Sequence, residues 1–129
     1  MNARPGSATR EAGARCEDLA DAHLQRAGLV PIARNFNCRL GELDLVMRDG
    51  DIVVFVEVRY RRKGGDGRFG DGIDSVGASK RTRLVRAAAM FLAQHPRLAG
   101  CACRFDVVAV AGDAAAPQLE WLPNAFEAN

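Results

Sequence analysis

The strongest constraint on this chain is a run from Leu40 to Tyr60. In it, apolar and polar residues alternate on either side of Arg48-Asp49-Gly50-Asp51. Asp-Gly between two alternating runs is a β-hairpin signal, because both residues tolerate the positive φ of a tight reversal. The predicted strands are residues 40–47 and 52–60. If the Asp-Gly turn closes the hairpin, Met47 is expected opposite Ile52, Asp44 opposite Phe55 and Glu42 opposite Glu57. Strand side chains alternate between faces. One face then holds Leu43, Leu45, Met47, Ile52, Val54, Val56, Val58 and Tyr60 and belongs on a core. The other holds Glu42, Asp44, Val46, Val53, Phe55, Glu57 and Arg59. A two- or four-residue loop keeps this parity, whereas a three-residue loop breaks it.

The second face carries the chemistry. Glu57 stands inside the most apolar run of the chain. Asp44 and Glu57, diagonal neighbours in the expected register, should lie ~7–8 Å apart. Each resists ionisation there unless a cation sits between them. Mg²⁺ (or Mn²⁺) suits such a gap: a hard ion takes carboxylate oxygens, keeps several waters and shares its remaining positions with phosphate. Arg59 points the same way and can hold phosphate charge. The same residues also fit a solvent-facing sheet surface on which Glu57 pairs with Arg59 and no metal binds.

At 129 residues the chain is long enough for one cored domain. That domain is expected over residues 9–129, behind a disordered tail at 1–8. Residues 9–27 read as a helix, with Thr9 as N-cap, Gly28 as its stop and Cys16, Leu19, Ala20, His23, Leu24 and Ala27 as its apolar stripe. A short β-like stretch follows at 29–36, then a polar turn at 35–39. Residues 79–94 form a second predicted helix, stopped by His95-Pro96. Residues 104–110 and 119–122 read as strands, and 124–127 as a short closing helix. This order predicts an α/β or α+β domain with a mixed sheet.

Net charge is +2, but it is unevenly spread. Between Arg59 and Arg86 there are nine Lys or Arg against three Asp, and from Phe105 onward there are none. A polyanion would meet the middle of this chain. Six glycines lie in residues 61–77. The spacing does not match a phosphate-binding loop. The segment reads instead as a basic flap, with Arg61, Arg62, Lys63 and Arg68 on a nucleic-acid backbone and Phe69 stacking on a base. Lys80, Arg83 and Arg86 extend the same track. The four cysteines have no zinc spacing and read as free thiols of a reducing, cytoplasmic compartment. No apolar run is long enough to span a membrane. His23 reads as a packed helix histidine, His95 as a partner for last-turn carbonyls, and Asp106 as a structural hydrogen-bonding group.

Gly41-Glu42-Leu43-Asp44-Leu45-Val46 followed by Val54-Phe55-Val56-Glu57-Val58-Arg59-Tyr60-Arg61 resembles the YraN family of bacterial proteins. Glu17, Asn35, Lys80, Cys103-Arg104-Phe105-Asp106-Val107-Val108 and Glu120-Trp121-Leu122 extend the resemblance across almost the whole chain. That family is similar to the restriction-endonuclease-like superfamily, with its PD-(D/E)xK site, and to Holliday-junction resolvases. The resemblance implies an α-β-β-β-α-β core with a mixed sheet flanked by helices. It also implies a Mg²⁺-dependent endonuclease acting on branched or damaged DNA, and a homodimer. By position, Asp44 and Glu57 match the two acids, Glu17 the acid that resolvase-like members add from a helix, and Arg59 the lysine. Arginine does not give up its proton as lysine can. Two other functions stay open: a non-catalytic nucleic-acid-binding module with a degenerate site, and an adaptor using the acidic C-terminal region.

Overall fold

The computed structural model describes residues 5–61, 77–112 and 116–128, without the side chains of residues 5–10 and 61. The glycine-rich flap, with Arg62, Lys63, Arg68, Phe69 and the Arg61 side chain, lies outside the described residues.

The elements are α1 (Pro5–Arg26), β1 (Val30–Cys38), β2 (Gly41–Asp49), β3 (Ile52–Arg61), α2 (Ala78–Ala93), a 3-10 turn (Pro96–Leu98), β4 (Ala102–Ala111) and β5 (Gln118–Phe126). The strands form one sheet in the order β1-β2-β3-β4-β5. The pair β3–β4 is parallel and the other three pairs are antiparallel. A parallel pair needs a crossover, and α2 lies on it. The protein is thus α/β, in the expected α-β-β-β-α-β order followed by the last strand that was also expected.

Each face of the sheet is covered by one helix. On one side Cys16, Ala20 and Leu24 of α1 pack over Leu45, Met47, Val54, Val56, Val108 and Val110. On the other, Leu84, Ala87, Ala88 and Phe91 of α2 pack over Leu43, Val46, Val53, Phe55, Phe105 and Val107. Phe91 is the hub of the second core, with edge-on contacts to Phe36 and Phe55. The parity of the hairpin around its turn is as expected. The solvent-facing alternative is not: Val46 and Val53 are fully buried and Phe55 is 2% exposed. Leu43 also packs with the α2 cluster rather than with Leu45 and Met47.

Two further expectations about the hairpin are corrected. Asp49 pairs with Ile52, so the loop is the two residues Gly50-Asp51, with Gly50 at φ 59°. The register runs Met47↔Val54, Val46↔Phe55 and Leu45↔Val56. Carried one step further, it sets Asp44 opposite Glu57, not diagonal to it. The β2–β3 ladder stops at Leu45↔Val56, while β2 stays paired with β1 down to Cys38↔Gly41. The strands therefore separate just where the acids lie.

The other differences have local causes. α1 begins at Pro5, inside the stretch expected as a tail, and ends as expected, with Gly28 at φ 102° and Leu29 N–H on the Leu24 carbonyl at 3.0 Å. β1 runs through the expected turn to Cys38. It absorbs Pro31 by a register shift and Asn35 by a left-handed conformation at φ 55°. No closing helix forms at residues 124–127. β5 continues as an edge strand to Phe126, with Asn124 at φ 52° in a bulge opposite Asp106. Pro123 is compatible with a strand there because an edge needs no second ladder donor.

Candidate active site

Glu57 lies on β3 in line with Phe55, under the first turn of α2. It is buried, at 7% exposure. Strand alternation fixes it there: Val56 and Val58 pack in the α1 core, which leaves Glu57 on the α2 face with Phe55. Lys80 reaches it from α2, with Nζ 3.2 Å from Oε2. That is an ion-pair distance to a buried oxygen.

Asp44 lies on β2 where the ladder has stopped. Its Oδ2 accepts the Val58 N–H at 2.9 Å, so the side chain takes over a donor that β2 backbone no longer reaches. Desolvation first, then a carboxyl–carboxyl hydrogen bond and charge repulsion with Glu57, push its pKa up to about 7. Val58 N–H and the Lys80 charge act in the opposite direction. Asp44 and Glu57 are therefore a close, mutually opposed pair.

Glu17 approaches from α1. Its side chain is 14% exposed and sits 3.6 Å from Arg34, which also binds Asp18 at 2.7 Å. Burial raises the Glu17 pKa, and repulsion from Asp44 and Glu42 adds to that, while a hydrogen bond from the Asn35 side chain opposes it. α1, β1, β2 and β3 thus converge on one end of the sheet. Among the described residues, no group of three His, Cys, Asp or Glu side chains stands close enough to hold a metal ion. Two acids, Asp44 and Glu57, are in contact, and Glu17 stands further off.

Arg59, half-buried on β3, pairs with Ala109 in the strand register and has no ion pair with either acid among the described residues. Arg83 and Arg86 are exposed on α2, and Arg83 borders the same cleft as Lys80. Glu42 is exposed at that cleft. Sequence reasoning assigned Lys80 to an outer basic track and missed its contact with Glu57. The available signal was its place in the first turn of a helix that must cross over β3. Arg34 was missed altogether.

Asp106 has a different task. It is fully buried and accepts from Arg104 Nε at 3.0 Å, Trp121 Nε1 at 2.9 Å and Asn124 N–H at 2.8 Å. Each Asp106 oxygen accepts two of these bonds from the protein, so it ties β4 to β5. His23 sits edge-on to Trp121, and His95 Nδ1 lies 2.7 Å from the Phe91 carbonyl, both as expected. All four cysteines are free thiols. No helix among the described residues is long and apolar enough to cross a membrane.

Comparison with known proteins places these features in a family. A UPF0102 protein of Xanthomonas campestris is 54% identical over 93% of this chain and 94% of its own length. A Pseudomonas aeruginosa relative is 49% identical over 93% of this chain and 95% of its own, and one from Stutzerimonas stutzeri 49% over 94% and 98%. The model of "Uncharacterised protein family UPF0102" matches residues 16–110, which include Glu17, Asp44, Glu57 and Lys80. By sequence along nearly its whole length, then, the chain belongs to the UPF0102 family, the YraN family that its motifs resemble.

Proposed function

We propose that the protein is a metal-dependent endonuclease whose site is built on Asp44 and Glu57. The observation that carries this reading is the carboxylate pair itself: two acids in contact, Asp44 raised to about 7, and a buried Glu57 whose Oε2 has the Lys80 ammonium 3.2 Å away. A sheet of this size has no structural need for such an arrangement, which costs stability whenever both groups ionise. Its residues fit a divalent cation. Asp44 and Glu57 would hold Mg²⁺ or Mn²⁺, with water and substrate phosphate completing the shell. Bound there, the ion would lower the pKa of its water and neutralise phosphate charge.

The chain's own groups supply the rest. Val58 N–H anchors Asp44 through Oδ2 and so holds its carboxyl group beside Glu57. Asn35 and Arg34 orient Glu17, whose raised pKa suits it to accept a proton from an attacking water. Arg83 and Arg86 present charge to a nucleic-acid backbone. The basic balance of the chain's middle supports a nucleic acid as the substrate.

Arg59 in the lysine position favours a second reading, a nucleic-acid-binding module without turnover. A cleavage panel separates the two: duplex, flap, junction, single-stranded DNA and RNA, with and without Mn²⁺. Cleavage of at least one substrate, lost in Asp44→Asn and Glu57→Gln, supports the nuclease. Salt-sensitive binding without cleavage of any substrate supports the module.

A further inference from the structure

We propose that Lys80 contacts the scissile phosphate, supplying from helix α2 the amine that β3 lacks at Arg59. This deepens the nuclease reading and rests on it. Lys80 faces two ways. On one side its Nζ is 3.2 Å from Glu57 Oε2. On the other, its side chain is 41% exposed and lines an open, mostly polar cleft of about 330 Å³ that also takes in Glu42 and Arg83. It is also the cation whose charge acts on Asp44. Arg59 is the residue the strand motif would nominate, and it makes no ion pair with either acid among the described residues.

The ion pair with Glu57 engages one of the three donors of the Lys80 ammonium. The other two remain available to a second anion, on the side where Lys80 is exposed to the cleft. Its position is well determined, because α2 is pressed against β2. A Cβ on Gly41 would lie 2.9 Å from the Arg83 carbonyl, and Leu84, one turn beyond Lys80, is 4% exposed in the core. A phosphate entering this cleft would meet a lysine already held beside the acid pair.

The test uses the full chain with Lys80→Met, Lys80→Arg and Asp44→Asn, each checked for a wild-type circular dichroism spectrum and a cooperative urea transition. Fluorescence anisotropy with a labelled duplex, in chelator so that nothing is cleaved, gives affinity across a salt series. Lys80→Met should lower the slope of log affinity against log salt by about 1, and Lys80→Arg should restore it. In the cleavage panel, Lys80→Met should cost about 100-fold or more in kcat. If Asp44→Asn abolishes cleavage while Lys80→Met keeps wild-type turnover and slope, the lysine assignment fails and the nuclease reading stands. If Asp44→Asn cleaves as wild type does, the nuclease site itself fails. Where no substrate is cleaved at all, the slope decides: a Lys80→Met slope equal to wild type overturns the phosphate contact, and a slope lower by about 1 supports it.

Discussion

Asp44 Oδ2 accepts the N–H of Val58, the residue after Glu57, at 2.9 Å, at the point where β2 and β3 have stopped pairing. The carboxyl group replaces a missing ladder bond and is thereby held against a second carboxyl. This has a measurable consequence for stability. The Asp44 pKa is raised from 3.8 to about 7, so between those values the folded chain holds a proton that the unfolded chain has released. Stability from this group is therefore present below pH 4, falls as pH rises toward 7, and is flat above. Asp44→Asn keeps an acceptor for Val58 and removes the charge. At pH 8 it should be more stable than wild type by about 2–3 kcal/mol, a figure reduced for partial exposure, and at pH 4 the gap should close. Urea unfolding of both proteins from pH 4 to 8 measures this. A gap that does not grow with pH would remove the basis for treating the two acids as opposed.

Metal affinity should follow the same proton. A divalent ion at Asp44 and Glu57 must displace it, so Mn²⁺ affinity should rise about tenfold per pH unit between pH 5 and 7 and then level off. Calorimetry at several pH values would show this, with no detectable binding in Asp44→Asn or Glu57→Gln. A pH-independent affinity, or one that survives both substitutions, would place the metal elsewhere.

Gly41 connects the fold to the site. A Cβ there would meet the Arg83 carbonyl at 2.9 Å, and that contact is backbone, which cannot swing aside. Gly41→Ala should push the first turns of α2 off β2, at a cost of about 1–3 kcal/mol. Because Lys80 rides on the same turns, the variant should also weaken duplex binding, by anisotropy, at temperatures where it remains folded. An unchanged urea midpoint would mean that α2 is not seated on β2 as described.

The hairpin and its acids were legible because they obey simple rules. Asp49-Gly50 marks a reversal, and alternation then predicts Asp44 and Glu57 as neighbours, which they are. The register was not legible, since two- and four-residue loops share the same parity, and only the observed Asp49↔Ile52 pair moves Asp44 from a diagonal place to one opposite Glu57. Leu43 departed from its expected face where β2 leaves β3, a divergence that no residue pattern announces. The contact of Lys80 with Glu57 depends on where α2 crosses the sheet, which is tertiary information. β5 was misread beyond Leu122 because Pro123-Asn124 looks like a strand end, whereas a bulge on an edge accommodates both.

That bulge exists to serve Asp106, and the last prediction follows from it. Asp106 is a fully buried charge whose partners come from three places: Arg104 beside it on β4, the Trp121 indole, and the Asn124 backbone, which reaches it only because Asn124 adopts φ 52°. Arg104 also binds Asp49 at 2.9 Å, so the cluster links the β2–β3 turn to β4 and β5. Removing the carboxylate leaves an arginine, an indole N–H and a peptide N–H without their acceptor in the interior. Asp106→Ala should cost about 3–5 kcal/mol, well above an average core truncation to alanine of similar size. Trp121 is the single tryptophan, so its fluorescence reports both the global unfolding midpoint and the local state of the cluster. The expected result is a lowered urea midpoint together with a native-state emission shift, because the indole loses its partner before the chain unfolds. A midpoint within about 1 kcal/mol of wild type would show that Asp106 is not the tie between β4 and β5, and would reopen it as a site acid next to Glu57.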